Sequence, residues 1–330
     1  MAGTPSAEVD VTVELVRRLL QAHHPDLADL PLRVVANGWD NVTLRLGDEL
    51  AVRVPRREMA AQLVRNEQRW LPVLAPRLGV DVPVPVRIGR PAGELPWGWS
   101  VVPWFAGTMV ASVPVAARTR LARPLAQALA RLHTPAPDDA PTNPVRGVPL
   151  RTRDEAVRTR LASGLVPDAD GVGRLWDELL DTPTWAGPAL WIHGDPHPLN
   201  LLARTDGGLR AILDFGDVTR GDPATDLATA WMTFDAAGRS EFRATTTALS
   251  GTDAATWRRA RGWALSFATI FLAHGDDEPL MRRIGEHTCA RSSPETDRRA
   301  VATTTRAGRR RRRTAARARR APRGRRRPAA

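Results

Sequence analysis

The chain has 330 residues, with 48 basic side chains (all arginine) against 36 acidic ones, a formal charge of +12. An apolar fraction of 42% excludes a wholly disordered chain, and the single cysteine, Cys289, excludes a disulfide framework or a cysteine-rich metal site. The excess charge is local: residues 291–330 hold 16 arginines and two acids, which leaves the first 290 residues at a net −2.

The first ten residues carry neither a basic n-region nor an apolar h-region, so no secretory signal is expected. The most apolar stretch, 263–273, is about half the ~20 residues of a membrane span. A soluble cytoplasmic protein with no membrane partner is therefore expected. Val9 to Ala22 has apolar residues at 9, 13, 16, 19 and 20, a helical stripe that His23-His24-Pro25 ends. Leu32–Ala36, Val42–Leu46 and Leu50–Val54 are separated by Asn37-Gly38-Trp39-Asp40-Asn41 and by Gly47-Asp48-Glu49, which predicts an antiparallel meander. Met59–Leu78 is predicted helical with an interruption at Pro72. A proline-marked extended region leads from there to Trp99–Trp104.

Beyond Gly107 the pattern turns helical: one long segment over Val115–His133, a proline-rich loop over 135–149, then helices from Asp154 and Gly173. Helical character returns over Pro223–His274 and Leu280–Cys289. The fold class is α+β, a small antiparallel-sheet lobe over 1–104, a hinge near 100–107 and a larger helical lobe over 105–290. From Asp297 onward Val301 is the only large aliphatic residue, so 291–330 is expected to be disordered. Its arginine run, 298–327, could contact nucleic acid without sequence preference but has no aromatic residue for base stacking. A shifted reading frame in a GC-rich gene would give the same composition.

The chemistry concentrates in 190–217, LWIHGDPHPLNLLARTDGGLRAILDFGD. Leu190-Trp191-Ile192 leads into a loop with Asp195, and Asn200 follows five residues later. Leu199–Ala203 and Leu209–Leu213 flank Thr205-Asp206-Gly207-Gly208, a hairpin signal. A turn centred on Asp206-Gly207 pairs residues whose numbers sum to 413, and one centred on Gly207-Gly208 gives 415. Either register sets Asn200 beside Asp214, with opposed Cα atoms roughly 4.5–5.5 Å apart. An amide oxygen and a carboxylate so placed can share Mg²⁺, while Asp195 is free to accept a proton.

His193-Gly194-Asp195 with Asn200, followed by Asp214-Phe215-Gly216, matches the protein-kinase signature. In the form His193-Gly194-Asp195-Pro196-His197-Pro198-Leu199-Asn200, with Asp222-Pro223-Ala224-Thr225-Asp226 after it, the chain resembles the aminoglycoside phosphotransferase family, which includes macrolide, choline and fructosamine kinase relatives. The resemblance implies a bilobal, protein-kinase-like fold and transfer of the γ-phosphate of ATP or GTP to a small-molecule hydroxyl. It makes Asp195 the catalytic residue, Asn200 and Asp214 the Mg²⁺ ligands, and Asp226 a support of the catalytic loop. The phosphate-covering turn then falls on Asn37 and Gly38. The strand lysine of the family is replaced by Arg53, with Glu67 as its partner. Arginine differs from lysine in reach and donor geometry, so a nucleotide-binding protein with weak catalysis is the alternative.

For the acceptor the sequence offers two surfaces. Asp235, Glu241, Asp276, Asp277 and Glu278 could line an acidic pocket for an aminoglycoside. Trp231, Phe234, Trp257, Trp263, Phe267 and Phe271 could wall a macrolide site, although such stripes ordinarily face a core.

Overall fold

The computed structural model describes residues 6–276 and 278–292. The arginine run and the expectation of disorder attached to it lie outside the described residues. Helix α1 (Val13–His23) begins at Thr12, whose hydroxyl accepts the Leu15 N–H, and precedes the meander β1 (Leu32–Asn37), β2 (Asn41–Leu46) and β3 (Leu50–Pro55). Helix α2 (Glu58–Leu78) and strands β4 (Arg87–Gly89) and β5 (Trp99–Pro103) complete an antiparallel sheet of order β1-β2-β3-β5-β4. Leu15, Leu19 and Leu20 of α1 bury against Leu44, Val52, Trp99 and Val101 of this sheet, a core of its own.

α2 runs unbroken through Pro72 and Pro76, against the expected interruption. Each internal proline removes a helical hydrogen bond at roughly 3 kcal/mol. Trp70, Leu71, Leu74 and Leu78, all buried in the second core, outweigh that loss at about 1.5–3 kcal/mol each.

Past β6 (Thr108–Met109) the chain is mainly helical, and the predicted long segment over 115–133 divides. Residues 115–121 form a 3-10 turn and α3 spans Ala122–Leu132, because Pro124 is tolerated in a helix's first turn but not further in. Next come α4 (Asp154–Leu161), α5 (Ala169–Leu180), β7 (Leu190–Ile192), β8 (Leu201–Ala203), β9 (Leu209–Ile212) and β10 (Thr219–Gly221). Helices α6 (Ala224–Leu227), α7 (Thr229–Thr233), α8 (Ala236–Ser250), α9 (Ala254–Ala273) and α10 (Pro279–Ser292) follow. Among the described residues no helix is long and apolar enough to cross a membrane.

The second core gathers α3, α5 and α9 around Leu125, Leu129, Trp176, Trp263 and Phe267. Inside it Arg259 of α9 donates to Asp222 (Nε to Oδ2, 2.7 Å), with both side chains 4% exposed, and Asp222 also accepts the Ala224 N–H that opens α6. This pair fixes the end of the β10 segment to α9. Removing one partner strands a buried charge. Arg259→Met is therefore expected to lower unfolding free energy by about 3–5 kcal/mol in a urea titration, and Asp222→Asn/Arg259→Met to recover part of it. A loss under about 1 kcal/mol in the single variant would contradict this role.

Candidate active site

β8 and β9 pair so that Leu201 faces Ile212 and Leu202 faces Ala211, and the Leu213 N–H donates to the Asn200 carbonyl at 2.8 Å. That is the 413 register, and it carries Asn200 alongside the backbone that leads into Asp214. The pairing shifts between Leu202 and Ala203, where Ala203 faces Leu209. The bulge absorbs the wider turn closed by Arg204 and Gly208. Asp214 sits at φ +57°, a left-handed conformation uncommon for a residue with a side chain.

The loop after β7 is held from beneath by Asp226, which is fully buried. Its Oδ2 accepts the His193 N–H and its Oδ1 the Gly194 N–H, both at 2.8 Å, while His133 Nε2 lies 2.9 Å from Oδ2. Gly194 has φ +90°, and a Cβ there would stand 2.6 Å from the Asp217 carbonyl, so both backbone angle and space require glycine. His193 bonds backbone at both nitrogens: Nδ1 accepts the Asp195 N–H and Nε2 donates to the Leu213 carbonyl. It thereby ties the Asp195 loop to the hairpin.

Asp195 lies next to His197, whose Nε2 is 3.2 Å from Oδ2, and Arg146, whose Nη2 is 3.5 Å from Oδ1. Burial works to raise its pKa, but the neighbouring His197 and the Arg146 guanidinium outweigh burial and hold the carboxyl well below the usual range. The Asn200 side-chain amide donates to the Asp195 carbonyl at 3.0 Å, which fixes its orientation. Asp217 behaves oppositely: burial raises its pKa, and the nearby Asp195 and Asp214 carboxylates raise it further, although Asn143 donates to its Oδ1 at 2.7 Å.

Arg53, in β3 between Thr43 and Ser100, is buried and joins the two lobes. Its Nη1 donates to Glu67 Oε1 at 2.7 Å and its Nη2 to Asp214 Oδ1 at 2.9 Å. Burial works against the arginine cation, but the two carboxylates overcome it and raise its pKa further. Burial pushes the Glu67 carboxyl up, while Arg53 and the Phe215 N–H, donating to Oε1 at 2.9 Å, draw it down. Glu67 thus binds the cation and the backbone after Asp214 at once, whereas the other glutamate of that region, Glu58, opens α2 at the surface.

Asp195, Asn200 and Asp214 are gathered on one loop and hairpin, and Arg53 and Glu67 join them from the sheet side. Asn37 and Gly38 are not linked to that group by any hydrogen bond. Asn37 Oδ1 accepts from Arg56 at 2.8 Å, the Gly38 carbonyl accepts from the same guanidinium at 3.1 Å, and Arg57 pairs with Asp40 at 2.6 Å. Trp39 meets His274 edge-on at 4.4 Å, so the turn reaches across to the end of α9.

Two neighbours of Asp195 escaped sequence reasoning. His197 lies two residues on in the same loop, close enough in sequence to have been found as a partner. Arg146 lies about fifty residues upstream in a proline-rich loop, with no local signal. Of the acidic residues offered for an acceptor pocket, Asp235 caps α8, Glu241 pairs with Arg123 and Asp276 with Arg282, Glu278 is exposed just before α10, and Asp277 lies outside the described residues. The aromatic residues Trp231, Phe234, Trp257, Trp263, Phe267 and Phe271 are all core. A cavity of about 650 Å³ lined by Leu150, Leu180, Pro183 and Arg259 lies elsewhere and includes none of the candidate site residues.

Among the described residues no three acidic, histidine or cysteine side chains converge on a metal position. The candidate metal donors are instead one amide and one carboxylate, with Asp214 half exposed and Arg53 bonded to its Oδ1. Two hard oxygen ligands fit Mg²⁺, which keeps several waters and takes phosphate oxygens. The mutual repulsion of Asp195, Asp214 and Asp217 is of the kind a divalent cation relieves.

Residues 31–263 match the model of the phosphotransferase enzyme family, APH. The chain belongs to that family. Its bilobal, protein-kinase-like fold is shared with solved members at low identity. APH(2″)-IIIa in complex with GDP and kanamycin is 18% identical over 84% of this chain and 99% of its own, with a TM-score of 0.64. A macrolide 2′-phosphotransferase from Brachybacterium faecium is 21% identical over 84% of this chain and 97% of its own, with a TM-score of 0.57. APH(2″)-IIa with streptomycin and ATP is 16% identical over 82% of this chain and 92% of its own, with a TM-score of 0.53. A search of curated proteins gives no match.

Asp226→Asn puts an NH₂ where one of two backbone N–H donors now finds an oxygen. It is expected to cost about 2–4 kcal/mol of stability and to expose the loop, read by urea unfolding and amide exchange at Gly194. Unchanged protection there would contradict the role given to Asp226.

Proposed function

We propose that this APH-family phosphotransferase moves the γ-phosphate of ATP or GTP to a hydroxyl group of a small molecule. The observation that supports this best is the continuous arrangement from Arg53, bonded to Glu67 and Asp214, through the hairpin to Asn200 and Asp195. Glycine and aspartate on the Asp226-braced loop set Asp195 as the group that accepts the acceptor's proton. Its depressed pKa keeps it ionised, and therefore able to accept, throughout the neutral range. Arg53 reaches the phosphates from the sheet side, in the position the family fills with lysine. Mg²⁺, held by Asn200 and Asp214 when bound, supplies charge neutralisation of the transferring phosphate. Asn37 and Gly38 form the turn above the phosphates, with Arg56 and Arg57 bracing it.

The two APH(2″) relatives bear GDP or ATP, which supports either nucleotide as donor. The kanamycin, streptomycin and macrolide associations of the solved relatives define the first acceptors to try. Nucleic-acid contact through 298–327 has no support among the described residues and is not proposed.

Asp195→Ala is expected to lower kcat by about 10²–10⁴ with Mg-nucleotide affinity nearly unchanged, measured by nucleotide consumption over a panel of hydroxyl compounds and by calorimetry. Nucleotide binding without turnover above that variant, for every acceptor, would favour a binding protein with lost catalysis.

A further inference from the structure

Arginines crowd the segment 145–161, and they fall into two sets. Arg151 and Arg158 are exposed and paired: Arg151 with Asp181 at 3.9 Å, Arg158 with Asp154 at 2.9 Å and Asp177 at 2.7 Å. Arg153 and Arg160 are seven residues apart, two helical turns, on the face that also carries the fully buried Val157. Neither side chain has a hydrogen-bond or carboxylate partner, and Arg153 Nε and Arg160 Nη1 are buried without an acceptor. Burial lowers both pKa values, and the charge of Arg146 lowers both further.

Arg146 links this inner set to the reaction centre. Its guanidinium lies over Phe267 of α9 at 4.7 Å and reaches Asp195 at 3.5 Å, while its Nε is buried without an acceptor. Trp263, one turn before Phe267, buries an indole N–H that also lacks one. The turn before α4 packs into α9, with Leu150 filling the space beside Gly262. Arg153 and Arg160 therefore lie close enough to Arg146 to feel its charge, and Arg146 itself reaches Asp195, with one acceptorless guanidinium N–H on each of the three arginines. A guanidinium that buries an N–H without an acceptor is costly, and like charges close enough to repel one another add to that cost, unless an anion joins them.

We infer that the acceptor is a hydroxyl compound bearing a carboxylate or phosphate group, which Arg146, Arg153 and Arg160 bind while its hydroxyl faces Asp195. This rests on the phosphotransferase reading and assigns its substrate class. The guanidinium fork matches either anion, and the same charges repel a polycation. In the transfer the acceptor oxygen bonds to the γ-phosphorus and its proton passes to Asp195. The bond from the γ-phosphorus to the bridging oxygen breaks, and its electron pair leaves on the nucleoside diphosphate. Before the acceptor binds, Arg146 pairs with Asp195. The acceptor's anionic group competes for Arg146 and leaves Asp195 to the hydroxyl.

The test uses the full chain and Arg153→Met/Arg160→Met, which keeps the aliphatic stems. Thermal melts at matched ionic strength compare inorganic phosphate and glycerate with neutral glycerol. The anions are expected to raise Tm of the wild type by several degrees, with most of the shift lost in the double variant, whose own Tm is no lower. In nucleotide-consumption assays, hydroxy acids or phosphorylated polyols should exceed aminoglycosides, macrolides and neutral polyols at least tenfold in kcat/KM. The double variant should raise acceptor KM at least tenfold and leave nucleotide KM within about twofold. Equal anion shifts in the two proteins, or best turnover on a polycationic or neutral acceptor, would overturn the inference. A Mg-nucleotide melt in both proteins separates the two levels: a nucleotide shift without an anion difference sinks the acceptor class alone, whereas no nucleotide shift and no turnover sink the phosphotransferase reading and the acceptor class with it.

Discussion

Arg53 is the charge on which the two lobes meet. It projects from the central strand of the sheet, loses nearly all contact with water, and divides its donors between Glu67 and Asp214. A buried cation of this kind is tolerable only with both carboxylates in place, because desolvation would otherwise cost several kcal/mol. The chain contains no lysine, so a strand cation at this position has to be arginine. A guanidinium can hold two carboxylates through separate nitrogens at once, where an ammonium is a single point charge. That geometry ties α2, β3 and the segment after β9 into one unit and brings Asp214 to the place where its neighbour Asn200 already lies.

Opposite Arg53, a second group of bonds orders the loop that carries Asp195. Asp226 receives two backbone N–H groups and a histidine, and His193 joins the loop to the hairpin through Leu213. Neither side chain is the proposed base, yet both set the place of Asp195. The electrostatics then separate by position. Asp195 is held ionised by His197 and Arg146, while Asp217 nearby has its charge opposed first by burial and then by two other carboxylates. Divergent pKa directions among adjoining carboxylates are a mark of functional sites.

Much of this was legible in the residues, for identifiable reasons. The three strands of the meander are short apolar runs between turn residues, and the turn Thr205-Asp206-Gly207-Gly208 narrowed the hairpin to two registers, either of which sets Asn200 beside Asp214. Glu67 could be picked because it falls on the helix after the strand bearing Arg53. Local pattern failed where a distant contact decided the outcome: Pro72 and Pro76 do not break α2, because burial of four large side chains in the second core outweighs the lost hydrogen bonds. Arg146 was invisible for the same reason, since nothing around it in sequence points to Asp195. The structure uses Asp235, Glu241 and Asp276 as a cap and ion pairs, and the six aromatic residues offered for the acceptor as core. The unpaired arginines of the α4 region are distinguishable from their paired neighbours only once it is known which face is turned inward.

If Arg53 clamps the phosphates, Glu67 acts on nucleotide binding through it. Calorimetric Mg-nucleotide affinities for the wild type, Glu67→Gln, Arg53→Met and the double variant test it directly. Glu67→Gln should weaken binding about tenfold in the wild-type background, roughly 1.4 kcal/mol, and have little further effect once Arg53 is methionine. Equal losses in both backgrounds would mean that the two residues act independently, contradicting a role for Glu67 through Arg53.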